Sequence, residues 1–196
     1  MKTTTTVVAL AAFVLGGAAG ALFLSGSAPT LPDSAARTTA AASAAQPVWA
    51  EIAWPFPLDE WGRGKAFRCQ AADCGAEVRV YVRAKIGFCN CATGVADDDE
   101  LDRLTDFHLI GNHLRAAGTG KPIAVAWMKG RSRGYEIGGD NRSGKSALSV
   151  AFNDRCDAIV ATAVLQHDRP ATMEPGVISL LNSDRVLHWA EKTLGL

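Results

Sequence analysis

The sequence predicts an α+β domain built on a mainly antiparallel sheet of about four strands, with a helix after the Cys-x-Cys segment and another at the C-terminus. Three observations support this fold class. One segment alternates strictly between apolar and polar residues, other apolar runs succeed it, and two segments combine helical periodicity with capping residues. Strands that follow one another with few helices between them favour antiparallel pairing over parallel βαβ units.

The predicted strands differ in how clearly the residues mark them. Residues 77–84 alternate between valine and charged or aromatic residues, which is typical of a strand with one buried face. Residues 123–128 and 148–152 are shorter apolar runs, and a turn-forming Asn-Asp pair ends the second. The continuous apolar run 158–165 predicts a central returning strand, with a buried helix as the alternative. The polar, glycine-containing stretch 129–145 predicts a loop or an extended hairpin tip.

Two further segments predict helices. The acidic run from Asp97 to Glu100 precedes leucines at helical spacing, so a helix is expected over residues 98–109, with carboxylates stabilising its first turn. A calcium site is the alternative for this run, which lacks the alternating ligands and the glycine of a calcium loop. The Asn182 to Asp184 segment offers a cap for a second helix over residues 184–193, which Gly195 ends.

These elements belong to one predicted domain, residues 48–196, which is long enough to bury a hydrophobic core and contains no internal repeat. A succession of strands closed by a C-terminal helix is similar in arrangement to the PsbP/Mog1-like layout. This resemblance implies an antiparallel sheet covered by helices. It assigns no role to any residue.

The N-terminal residues 1–24 predict an export signal, because residues 7–24 contain no charged or strongly polar side chain. This run is as long as a spanning helix requires, about 17–25 residues. Pro29 follows the small residues that would precede a cleavage site, which favours a retained anchor in the bacterial inner membrane over a cleaved signal peptide. Cleavage would instead release the protein into the periplasm. Residues 25–47, rich in Ala, Ser, Thr and Pro, predict a disordered linker.

The charge of the chain argues against one class of partner. The formal net charge is zero, and the predicted domain keeps a net charge of −1, because residues 1–47 carry two basic residues and one acidic residue. A nucleic-acid-binding domain carries a basic footprint, so no nucleic-acid partner is predicted. Neither a nucleophile elbow nor a haem attachment motif occurs, and no cofactor is predicted.

The five cysteines are all in the predicted domain, and export would place them in an oxidising compartment, where disulfides are the default. Two bridges and one free thiol are therefore expected. The short spacing favours a bridge between Cys69 and Cys74, and Cys156 is then left to pair with either Cys89 or Cys91.

Two alternatives give the cysteines a chemical role. Cys89 and Cys91, near basic residues, could form a reducible redox pair or bind a cuprous ion. The Cys-x4-Cys and Cys-x-Cys pairs together could also supply four thiolates to a structural zinc ion. Structural bridging is the favoured interpretation, because oxidation competes with both alternatives.

Residues 139–146 match the G-x-x-x-x-G-K-[ST] phosphate-loop pattern. That loop functions only between a buried strand and a helix, whereas the residues that follow here alternate like a strand. Nucleotide binding is therefore not predicted. The pattern lies in the polar stretch 129–145, whose positive charge suggests contact with anionic lipid head groups or an anionic envelope protein. The alternative is a solvated loop. The residues concerned are Lys129, Arg131, Arg133, Arg142 and Lys145.

These observations predict a membrane-tethered periplasmic binding or assembly module that is stabilised by disulfides and is not an enzyme. The membrane contact would be made through residues 7–24, and the protein partner is not specified by the sequence. The competing hypothesis is a thiol-redox enzyme, or a copper- or zinc-binding protein, that uses Cys89 and Cys91.

Overall fold

An eight-stranded antiparallel sheet is the framework of the computed structural model, which describes residues 47–111, 113–138, 144–166 and 170–196. These residues belong to one compact unit. The strands follow the order β1-β2-β3-β8-β7-β6-β4, and β5 also pairs with β6. They are β1 (Trp49–Ile52), β2 (Lys65–Cys69), β3 (Val78–Lys85), β4 (Leu114–Ala116), β5 (Lys121–Val125), β6 (Met128–Ile137), β7 (Lys145–Asp154) and β8 (Asp157–Gln166).

Four α-helices and one 3-10 helix, Phe107–Leu109, accompany the sheet in the described residues. The capping prediction for the acidic run is confirmed, because the Asp97 side chain accepts a hydrogen bond from the Glu100 amide at 2.8 Å. The α-helices are α1 (Ala71–Cys74), α2 (Asp98–Leu104), α3 (Pro170–Leu181) and α4 (Asp184–Leu194).

The two faces of the sheet are covered by different elements. On the first face, α3 and α4 pack on alternate residues of β3, β7 and β8, such as Val82, Val150 and Ala161. On the second face, Leu101 and Leu104 of α2 pack on the other residues of β7 and β8. Because side chains alternate along a strand, each inner strand contributes to both layers.

The α+β class and the antiparallel sheet are confirmed, but the prediction of about four strands was too low. The predicted strand 123–128 is split by a turn at Ala126 and Trp127 into β5 and β6. The stretch predicted as a loop forms most of β6, since glycine and serine take the inward positions that apolar residues would normally mark. Residues 158–165 form a strand, as expected.

The predicted helices are present with changed limits. The first ends at Leu104, where Thr105 adopts an extended conformation, so the prediction to residue 109 was too long. The C-terminal helix is confirmed as α4, and Gly195 ends it in the left-handed conformation. Helix α3 was not predicted, because Pro175 and Gly176 lie within it.

The predicted anchor at residues 7–24 lies outside the described residues, as does the linker up to residue 46. Within the described ranges, no helix has the length and apolar character that a membrane crossing would need. The described chain begins at Pro47, which packs against Gly176 of α3. Pro47 also borders a surface groove together with Ser183 and Asp184, at the turn between α3 and α4.

Candidate functional site

Two disulfides are present in the domain, so the disulfide prediction is confirmed. Cys69 is bonded to Cys74, and Cys91 is bonded to Cys156. The first bridge closes the short segment that contains α1, and the second joins the loop after β3 to the β7–β8 turn. Four of the five thiols are therefore not available as metal ligands while the bridges are intact.

Cys89 is the remaining thiol, and it is buried. Its amide donates to the Cys156 carbonyl at 3.2 Å, and its thiol donates to the Arg155 carbonyl at 3.2 Å. Burial raises the pKa of the Cys89 thiol, and the carboxylates of Glu100 and Asp157 raise it further. The structure therefore does not join Cys89 and Cys91 as a bonded pair, and it holds Cys89 in the less reactive protonated form.

Cys89 is expected to react with iodoacetamide at least about 100-fold more slowly in the native protein than in the guanidinium-unfolded chain, because alkylation requires an exposed thiolate. Mass spectrometry of timed, quenched samples measures both rates, with glutathione as the freely accessible reference thiol. Native Cys89 that reacts as fast as glutathione would contradict this assignment and would favour a thiol-dependent activity.

Four of the five predicted basic contacts lie in the described residues, where they are dispersed. Arg142 lies outside the described residues. Lys129 is exposed at the start of β6, whereas Lys145 is exposed at the start of β7, near the other end of the β6–β7 hairpin. Arg131 and Arg133 point from the middle of β6 towards α2. The four described charges therefore do not form one cluster on a loop.

Arg131 and Arg133 are both engaged by acidic residues of α2. Arg131 donates to Asp98, and Arg133 donates to Asp102 at 3.0 Å. Burial alone would raise the pKa of Asp98, but the Gly120 amide and the two guanidinium groups hold it below its usual value. These interactions fix α2 to the second face of the sheet.

A buried ionic cluster on β3, which the sequence did not reveal, lies on the same face. The Arg83 side chain is 1% exposed and donates to both Asp59 oxygens at 2.6 and 2.8 Å. It also donates to both Asp106 oxygens at 2.5 and 3.0 Å, and the Lys85 amine lies 2.7 Å from Asp106. The ring of Trp61 covers Lys85 at 4.4 Å.

The Arg83 cluster is closed, so its role is structural. Burial alone would raise the pKa of Asp59, but the hydrogen bond from Arg83 and its positive charge hold the pKa below its usual value. The two cations and the two carboxylates of the cluster thus neutralise one another on the second face of the sheet. No charged group of the cluster is left to act on a substrate.

An open cleft of about 700 Å³ lies on the first face, between β6, β7 and the start of α3. Clefts of roughly 300–1,000 Å³ are typical of small-molecule sites. Its apolar lining includes Ala117, Leu148, Pro170 and Ala171. Gly134 forms part of the wall, and a side chain at this position would contact Pro170 at about 3.0 Å. The glycine thus allows α3 to approach the sheet closely.

A buried carboxylate organises the inner wall of this cleft. Glu174 of α3 is 6% exposed and accepts a hydrogen bond from the Ser132 hydroxyl at 2.7 Å. Its other oxygen lies 2.7 Å from the amine of Lys121 on β5. Because Ser132 is also almost fully buried, its hydroxyl serves to hold Glu174 rather than to attack a ligand.

Lys145 lies at the rim of the cleft and is the cation best placed to meet a ligand. Its side chain is exposed, and it has no ion-pair partner among the described residues. It belonged to the phosphate-loop pattern, but the residues from Lys145 onward form strand β7 rather than a helix. A phosphate loop requires a helix there, so the amine is a single positive charge at an apolar cleft.

Comparison of the chain with family models, with curated proteins and with solved structures found no match.

Proposed function

We propose that this chain is a membrane-tethered periplasmic binding module whose ligand site is the cleft between β6, β7 and α3. The observation that carries the proposal is the cleft itself, with an apolar floor, a buried carboxylate that is already paired, and an exposed lysine at the rim. Two disulfides are consistent with an oxidising compartment. Residues 7–24 would form the tether. The domain would have a PsbP/Mog1-like arrangement of its sheet and helices.

The lining of the cleft defines the class of ligand. Leu148, Pro170 and Ala171 favour a small apolar body, and Lys145 favours an anionic group at one end of it. Lys121 contributes less, because Glu174 already neutralises it. The expected ligand is therefore a small amphiphilic anion, such as a carboxylate or sulfonate on an apolar body. Binding without chemistry is favoured because Ser132 and Glu174 satisfy each other inside the wall.

Binding of 1-naphthalenesulfonate, a soluble probe of this class, is expected to weaken at least about tenfold in the Ala171→Trp variant, since the new ring would occupy the cleft. Isothermal titration of the full chain in lipid nanodiscs measures the affinity, with empty nanodiscs as the blank. Thr172→Trp is the matched control, because Thr172 is exposed on the same turn but does not line the cleft.

The charge at the rim is tested with the same probe. Lys145→Gln should weaken binding, whereas Lys129→Gln should not, because Lys129 is an exposed lysine remote from the cleft. Equal affinities of the wild type and both tryptophan variants would contradict the proposed site.

A further inference from the structure

The Glu174 carboxylate of the cleft is buried, but one of its two partners is not. The Glu174 side chain is 8% exposed, whereas the Lys121 side chain is 62% exposed although its amine lies 2.7 Å from Glu174 Oε2. The other partner, Ser132, is buried and donates to Oε1. A buried carboxylate is costly unless it is paired and hydrogen-bonded. At Oε2 that pairing comes from an ammonium group on a long, largely exposed side chain.

The Lys121 amine is held at this position by Glu174 alone among the described residues. Lys121 is the first residue of β5, which pairs only with β6 in the described sheet. An exposed lysine loses side-chain entropy when an ion pair holds it in one geometry. A second ammonium group can therefore replace it without leaving Glu174 uncompensated. Glu174 Oε2 is thus a fixed acceptor with an exchangeable cation.

The other charged residues of the cleft lining are arranged differently. Arg133 is engaged by a carboxylate of α2 on the second face. Glu136 pairs with Arg115 at 2.6 Å. Lys145 lies at the rim with its amine exposed. The inner end of the cleft therefore carries a buried negative charge with an exchangeable cation, and the rim carries a positive charge.

The strand register separates these two ends. Ser132 pairs with Lys121 at the inner end, and Glu136 pairs with Ser146, the residue after Lys145, at the rim. The two positions are four residues apart on β6, which is about 13 Å at about 3.3 Å per residue. A ligand that meets both ends is therefore extended, with an apolar chain between its two polar groups.

We propose that the ligand of the cleft carries a primary ammonium group in addition to its anionic group, and that this ammonium replaces the Lys121 amine at Glu174. The ligand class is thereby narrowed to an extended amino acid with its acid at Lys145 and its amine at the inner end. A primary ammonium is required because Oε2 accepts a hydrogen bond, and a quaternary ammonium has no N–H to donate. This inference rests on the cleft of the proposed function and narrows its ligand.

The test compares 8-aminooctanoate with octanoate, which differ only in the terminal ammonium group. Isothermal titration of the full chain in lipid nanodiscs measures both affinities, with empty nanodiscs as the blank. The wild type should bind 8-aminooctanoate at least about threefold more tightly, a gain limited by the displacement of Lys121. In Lys121→Gln the preference should rise to at least about tenfold, because no existing ion pair is then lost.

Lys129→Gln is the matched control, because Lys129 is an exposed lysine remote from the cleft, and it should keep the wild-type preference. Lys121→Arg should reduce the preference, since a guanidinium binds a carboxylate through two hydrogen bonds and is displaced less readily. Glu174→Gln should abolish the preference and still bind octanoate. The wild type should bind 8-(trimethylammonio)octanoate no more tightly than octanoate.

The outcomes separate this inference from the proposed site. Equal affinities for the two probes in Lys121→Gln, with octanoate still bound, would overturn the ammonium assignment and leave the cleft as an anion site. Weaker binding of 8-aminooctanoate alone in that variant would also overturn it, because Lys121 would then contact the ligand itself. If Lys121→Gln does not fold, an unchanged preference in Glu174→Gln overturns the assignment. Binding of neither probe to the wild type would overturn both proposals.

Discussion

Replacing Arg83 with methionine should lower the free energy of unfolding by about 3–5 kcal/mol, because breaking a buried ion pair leaves an uncompensated charge. Asp59 would lose its bidentate partner, and Asp106 would keep only Lys85. For a domain of this size, such a loss corresponds to a fall in the melting temperature of about 6–20 °C. Urea unfolding followed by circular dichroism measures it, provided that the slope of the transition is unchanged.

Arg79→Met provides the matched control for this prediction. Arg79 lies on the same strand and the same face, four residues away, but its side chain is 49% exposed and pairs with Glu77 at the surface. Exposed ion pairs contribute at most about 1 kcal/mol. Equal unfolding midpoints of the two variants would show that the buried cluster does not hold the segments carrying Asp59 and Asp106 to the sheet.

Removing the Cys91–Cys156 bridge by double alanine substitution should cost about 4 kcal/mol, whereas removing Cys69–Cys74 should cost about 2 kcal/mol. The two bridges span 65 and 5 residues, and the longer loop has more chain entropy to lose in the unfolded state. Both cysteines of a pair are replaced because a lone Cys156 lies beside the Cys89 backbone and could form a new bridge.

Urea unfolding of the two double variants compares their free energies of unfolding. If removal of the short bridge lowers this free energy more than removal of the long bridge, the entropic explanation is contradicted. That result would instead indicate that α1 and the end of β2 depend on the short bridge for their conformation. Retention of Cys89 as a titratable thiol in both variants checks that no exchange has occurred.

The sequence predicted those elements whose periodicity is simple. The valines of residues 77–84 marked one buried face of β3, and the capping and stripe of residues 184–193 marked α4. The sequence predicted one buried face of β3, the valine face, but Arg83 and Lys85 on the opposite face are also buried, by residues 54–61 and by Asp106. This burial depends on ion pairs with residues distant in sequence. No local sequence pattern distinguishes a buried arginine from an exposed one.

The candidate cleft could not be predicted for a related reason. One wall contains Gly134 and Ser132, which are residue types typical of loops. The other is helix α3, which the sequence does not predict because Pro175 and Gly176 lie within it. Glu174 appears in the sequence as an ordinary surface glutamate, and only the approach of α3 to β5 and β6 gives it two partners. The sequence marks the stretch 129–145 as basic, but the separation of Lys129 and Lys145 along β6 and β7 depends on the hairpin register.

The position of β8 between β3 and β7 determines the order in which the chain can fold. Residues of β3 pair with partners more than 70 positions later, so the centre of the sheet cannot close until β8 is present. Until then, β3 presents an unpaired edge, and any bridge that Cys91 forms is non-native because Cys156 has not arrived. Long-range pairing of this kind slows folding. Any bridge that Cys91 makes before β8 is in place must therefore exchange before Cys91 and Cys156 can pair.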